Sequence, residues 1–204
     1  MVRNLAILAG VVVVAGLGGT FYFSQGSGDE DQFAQCREGA VAGAIGGPFE
    51  LVSETGETVT DKDVITEPSL LYFGYTFCPD VCPLDNTRNV EAVEILEERG
   101  QSVKPVFISI DPERDTPEVM AEFTDYMHPR MVGLTGSAAQ VKAASQAYRT
   151  YYKKQESDDP EYYLVDHSTF SYLVLPEHGF VDYFKRDVTP EQMADRIGCF
   201  VEKM

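Results

Sequence analysis

The chain has 204 residues and a formal net charge of −17, a balance that argues against nucleic acid or an anionic lipid surface as its partner. Hydrophobic residues make up 44%, which suits one globular domain plus a short extra element. The acidic excess suits a cationic partner, but it is read here as a well-solvated surface.

The extra element comes first. Leu5 to Phe23 has no charged residue, and its 19 residues as a helix would cross a hydrocarbon core of roughly 30 Å. Arg3 precedes this run, while Asp29, Glu30 and Asp31 follow it, so the remainder is expected across the membrane. A cleaved signal peptide is the rival reading. The absence of an Arg- and Ser-rich leader before the run favours a bacterial inner-membrane protein with its soluble part in the periplasm. The expected division is a cytoplasmic stub at 1–4, a transmembrane anchor at 5–23, a polar tether at 24–47 and a folded domain at 48–204.

Within that domain, Phe49–Val52 and Thr58–Thr60 flank Thr55-Gly56 and predict a hairpin. Ser69–Tyr75 is a continuous apolar run of the kind found in a buried strand. An amphipathic spacing from Leu84 to Arg99 predicts a helix that Gly100 stops. Val103–Ile110 is a second buried strand, and Thr116-Pro117 opens a helix. Met131–Leu134 is a short strand, and Ser137 caps a helix running to about Tyr148. Thr150 to Tyr163 is polar and tyrosine-rich and reads as a surface insertion. Phe170–Leu175 and Phe180–Lys185 form a hairpin about Pro176–Gly179, and Thr189–Gln192 is a capping box for the last helix. Strands alternating with helices imply an α/β fold whose sheet is largely parallel and covered on both faces. The closing hairpin and helix add an antiparallel edge, making a thioredoxin-like domain with a mixed central sheet.

The chemistry centres on Cys78-Pro79-Asp80-Val81-Cys82-Pro83, placed between the first buried strand and a helix. Backbone N–H groups at a helix start stabilise thiolates and lower thiol pKa values. With Cys78 in the first turn, the two Cα atoms would lie about 6 Å apart at ~1.5 Å rise per residue, which permits a disulfide, free thiols or a shared metal ion. Of the three histidines, His128 and His178 are expected in solvent. His167 precedes the strand Phe170–Leu175, which in such a sheet runs antiparallel to the cysteine-bearing strand, so His167 is carried towards Cys78 and Cys82. Asp166 beside it is a candidate to orient the imidazole by hydrogen bonding. Two soft thiolates with one imidazole suit copper, whereas a closed structural zinc site normally takes four protein ligands.

GYTFCPDVCP at 74–83, SIDPERDTP at 109–117, GLTGS at 133–137 and VDHSTFSYLVLP at 165–176 together resemble the Sco/SenC family of copper chaperones. The resemblance covers about 48–200 and implies a thioredoxin-like fold behind a single membrane anchor. It implies Cu(I) or Cu(II) held by Cys78, Cys82 and His167. It also implies delivery of copper to the binuclear centre of cytochrome c oxidase subunit II, directly or with copper-site assembly factors. Three other readings stay open: a thiol–disulfide oxidoreductase using Cys78 and Cys82, a redox or copper sensor, and a peroxidase with Arg88 as activator. Cys36 and Cys199 depart from the family's minimal pattern. In an oxidising compartment they can be a disulfide clamp or two free thiols.

Overall fold

A computed structural model of the chain describes residues 31–39, 44–159 and 162–204. The expected anchor at 5–23 lies outside the described residues. Among the described residues, no helix is long and apolar enough to cross a membrane. The unit ending at Gln35 is described only at 31–35, where Ala34 N donates to the Asp31 carbonyl in a turn. The unit from Cys36 to Met204 is the folded domain.

Its elements in chain order are β1 (Glu50–Ser53), β2 (Thr58–Thr60), α1 (Asp61–Val64), β3 (Ser69–Gly74), α2 (Val81–Glu98), β4 (Lys104–Ser109), α3 (Pro117–Met127) and β5 (Val132–Thr135). There follow α4 (Ala138–Ala147), β6 (Tyr152–Lys154), β7 (Val165–His167), β8 (Ser171–Leu175), β9 (Gly179–Phe184) and α5 (Pro190–Glu202). Seven strands form one sheet in the order β2-β1-β5-β4-β3-β8-β9, and β6 with β7 forms a separate two-stranded ribbon.

The expectation of a largely parallel sheet needs correction. Only the pairings β3–β4 and β4–β5 are parallel, with α2 and α3 as the crossovers between them. Strands β1 and β2 on one side, and β8 and β9 on the other, pair antiparallel. The result is a mixed, thioredoxin-like sheet.

Strand β3 sits inside it, and all six of its residues are buried. Side chains on successive strand positions point to opposite faces. Tyr72 stacks on Phe107 and donates its hydroxyl proton to Asp85 of α2. Phe73, one residue on, packs against Tyr148 at the end of α4. Each face of β3 is thus covered by a different helix, which explains why its sequence shows no polar alternation.

Helix boundaries follow the sequence signals closely. Thr189 and Gln192 exchange hydrogen bonds at the start of α5, with Pro190 at its first position. Gly100, at φ 76°, ends α2 in the left-handed conformation.

The chain expected to be a tether up to Gly47 is fastened to the domain well before that residue. Cys36 and Cys199 form a disulfide across a separation of 163 residues, with Cα atoms 5.6 Å apart. Arg37 Nε donates to the Val181 carbonyl of β9, and Arg196 of α5 pairs with both Glu38 and Asp182. Further on, Gly46 N donates to the Ala147 carbonyl. The segment 150–163 is likewise more than a surface insertion: it contains β6, and Thr150 and Tyr163 are buried.

Candidate metal centre

Strand β3 ends at Gly74, and the chain turns through Tyr75, whose carbonyl accepts from Cys78 N at 3.2 Å. Cys78 lies in this turn, ahead of α2 rather than in its first turn. Cys82 is the second residue of α2. The N-cap residue, Asp80, makes no side-chain capping bond. Cys82 N instead donates to Cys78 Sγ at 3.3 Å, so a sulfur does the work usually given to a capping oxygen. Gly74 makes room for the second sulfur: a Cβ at this position would lie 2.9 Å from Cys82 Sγ and 2.8 Å from the Tyr72 ring.

The nitrogen comes from the ribbon. Antiparallel pairing of β3 with β8 sets Ser171 beside Tyr72, so the chain entering β8 passes the cysteine turn. His167, the last residue of β7, lies there with Nε2 3.3 Å from Cys82 Sγ. One donor atom each from Cys78, Cys82 and His167 falls within 4.8 Å of the other two. Tyr72 and Tyr75 meet the imidazole edge-on, with ring centroids 6.2 and 5.9 Å away.

Protonation is directed by the same contacts. His167 Nδ1 is 2.8 Å from the Ser168 carbonyl, which can only accept, so the ring proton sits on Nδ1. That leaves the Nε2 lone pair facing the sulfurs. Asp166 does not take this orienting role. Neighbours on a strand face opposite ways, and its carboxylate accepts from Gln155 Nε2 at 2.6 Å instead.

The Cys82 thiol, helped by His167 and by backbone N–H groups of Asp80 and Cys82, holds the Cys78 thiol pKa down at about 3 against the opposing effect of burial. Cys82 is pushed up by the Cys78 thiolate beside it and by its own burial. At neutral pH the metal-free pair therefore carries one proton and one negative charge. Burial first, then the nearby sulfurs, pushes Tyr75 up to about 12, so it stays a neutral phenol.

The remaining candidates lie elsewhere. His178 is exposed in the β8–β9 turn, as expected. His128 is buried, contrary to expectation: its Nδ1 accepts from Arg130 N, and its Nε2 lies 3.7 Å from Glu97. Arg88 points its guanidinium at Asn89, at Ser171 of β8 and at the Lys185 carbonyl just past β9, tying α2 to that edge of the main sheet. Its hydrogen bonds thus serve that junction. Sequence reasoning missed Tyr72, Gly74, Tyr75 and the Ser168 carbonyl. The first two stand at alternate positions of β3, and that two-residue period placed them on one face with the sulfur.

Residues 37–202 match the SCO1/SenC family. The chain belongs to that family. It is 54% identical over 202 residues to protein SenC of Rhodobacter capsulatus, covering 98% of this chain and 90% of that protein. Among solved structures, it is similar to Arabidopsis thaliana ScoI with copper bound, at 41% identity and TM-score 0.73 over 78% of this chain and 99% of the other. Yeast Sco1 with copper bound is 36% identical, with TM-score 0.74, over 79% and 91%.

Copper thus occupies solved relatives, and the donor set here fits it. Two sulfurs and one imidazole nitrogen offer soft and intermediate ligands to Cu(I) or Cu(II). Three protein donors leave open a position that a closed four-ligand zinc site would fill.

Proposed function

We propose that Cys78, Cys82 and His167 bind one copper ion and that the protein passes it on during assembly of cytochrome c oxidase, the recipient being the binuclear copper centre of subunit II. The observation that carries this reading is the meeting of the three donor atoms within 4.8 Å, in a chain similar to copper-bound Sco structures. Cu(I) is held chiefly by the thiolates, and Cu(II) by the thiolates together with His167 Nε2. The uncharged run 5–23 anchors the domain to the bacterial inner membrane, with the domain in the periplasm. The Cys36–Cys199 disulfide supports an oxidising compartment.

The test is reconstitution of the full chain with Cu(I) or Cu(II), followed by mixing with copper-free subunit II. One copper per chain, sulfur-to-Cu(II) charge-transfer bands and appearance of copper in subunit II are expected. His167→Ala should remove nitrogen coupling from the Cu(II) spectrum and lower Cu(II) affinity by about 10–100-fold, the scale set by losing a ligand or its support. Unchanged spectra in that variant would refute the ligand set. Copper retained by the chain in the presence of subunit II would refute the recipient.

A second reading rests on the Cys78 thiolate. It attacks a partner's disulfide to form a mixed disulfide and releases one partner thiolate. Cys82, giving up its proton, then displaces the other. Two electrons pass to the partner, and Cys78 and Cys82 become a disulfide. This activity would survive His167→Ala and need no metal.

A further inference from the structure

The three donor atoms come from two separate pieces of structure. Both sulfurs belong to the main domain frame, at the end of β3 and the start of α2. The nitrogen belongs to the β6–β7 ribbon, which shares no strand pairing with the main sheet. Beyond the β3–β8 pairing that brings the chain past the cysteine turn, contacts of the ribbon itself set how His167 approaches the sulfurs.

Arg114 occupies the junction. Its guanidinium lies 3.6 Å from the ring centroid of Tyr163, four residues before His167 on the ribbon side. The same guanidinium lies 4.9 Å from the ring of Phe77 and 5.6 Å from that of Tyr75, both in the turn that carries Cys78. One cation is therefore shared between the sulfur-bearing turn and the nitrogen-bearing ribbon. Asp111 fixes both partners: its carboxylate accepts from Arg114 Nε at 2.5 Å and from the Tyr163 hydroxyl at 2.6 Å. Asp111 is 4% exposed and Tyr163 5%, so these contacts are sheltered from competing water. Lys154 of β6 adds a pairing with Glu113 and lies 3.7 Å from the Tyr163 ring centroid. Val165 N donates to Tyr75 Oη at 3.3 Å. These bonds join the ribbon to the loop 111–115 and to the cysteine turn.

The geometry points to Tyr163 and Arg114 as positioning residues that set the approach of His167 to the thiol pair, and through it the preference of the site between Cu(II) and Cu(I). This rests on the three-ligand reading above. Cu(I) is satisfied by two thiolates, whereas Cu(II) gains from the imidazole. A latch that acts only on the imidazole therefore acts on one oxidation state. Loosening it raises the energy of the Cu(II) complex and leaves Cu(I) nearly untouched, making the latch a control on which form of the ion is held. Neither residue is among the three donors.

The experiment compares Cu(I) and Cu(II) affinities of the full chain, kept in detergent, for wild type, Tyr163→Phe and Tyr163→Leu, each also in a His167→Ala background. Tyr163→Phe keeps the ring over Arg114 and loses only the hydrogen bond, so it carries the test should Tyr163→Leu not fold. With His167 present, Cu(II) binding weakens about tenfold in Tyr163→Phe and more in Tyr163→Leu, with Cu(I) within about threefold of wild type. Nitrogen coupling in the Cu(II) resonance spectrum weakens in the same order. With His167 absent, neither substitution has any further effect on copper. A general structural role would lower both affinities together and would persist without His167; either result overturns the proposal, as does wild-type Cu(II) binding in Tyr163→Leu. A wild-type Cu(II) spectrum with no nitrogen coupling sinks the three-ligand reading, and the latch with it.

Discussion

Two pairs of cysteines in this molecule share one chemistry and have opposite fates. Cys36 and Cys199 are 163 residues apart and are joined; Cys78 and Cys82 are four apart and carry free thiols. The distant pair sits where the chain entering the domain passes the last helix, braced by Arg37 and by Arg196. Those contacts tie the incoming chain to β9 and α5. The close pair has a helix start, a neighbouring imidazole and a carbonyl that fixes the imidazole's tautomer. Proximity in the chain is therefore a poor guide to which sulfurs act as a structural link; the groups around them decide.

The sharpest way to break this contrast is to remove the distant pair. Cys36→Ala with Cys199→Ala releases a very long loop, so unfolding free energy should fall by about 2–5 kcal/mol, measured by denaturant titration. Copper stoichiometry and spectra should remain those of wild type. A lost or altered copper spectrum would mean that the two pairs are coupled and not separate in role.

A smaller effect is expected at Gly74. An added methyl would meet the Tyr72 ring and Cys82 Sγ inside contact distance, and crowding of this kind costs about 1–3 kcal/mol. Gly74→Ala should lower thermal stability and shift the Cu(II) charge-transfer bands, because the sulfur has to move. Stability and spectra both at wild-type values would show that Cys82 is not confined by this wall.

The gentlest probe is pH. In the reduced, metal-free protein one thiolate should persist at pH 5, seen as absorbance near 240 nm that Cys78→Ala removes. Because the Cys78 pKa is held at about 3 in the fold and sits near 8.5 when unfolded, its contribution to stability is complete above about pH 8.5 and fades as pH falls towards 3. Cys82 has the opposite sign: its raised pKa favours the protonated fold, so its neighbour's charge begins to cost stability above about pH 8.5. Loss of the 240 nm absorbance between pH 9 and 8 would show that no proton is shared between the sulfurs.

Much of this was legible in the chain itself. Buried strands show as unbroken apolar runs, as in Ser69–Gly74, because both faces are covered; helix starts show at Thr116, Ser137 and Thr189, because capping is a local bargain between adjacent residues. The pairing of two sulfurs at four-residue spacing before a helix, and the candidacy of His167, could be read from the order of elements. The tertiary structure alone decided what depends on residues meeting across distance. It placed Ser168, and not Asp166, behind the imidazole, since strand alternation turns neighbours apart. It buried His128 and Tyr163, whose polar surroundings in the chain give no hint of the partners waiting for them in space. It joined Cys36 to Cys199, and it stationed Arg114 between the sulfur-bearing turn and the ribbon that brings the nitrogen. Local propensity is written in neighbours, whereas a site assembled from several segments exists only once the sheet has aligned them.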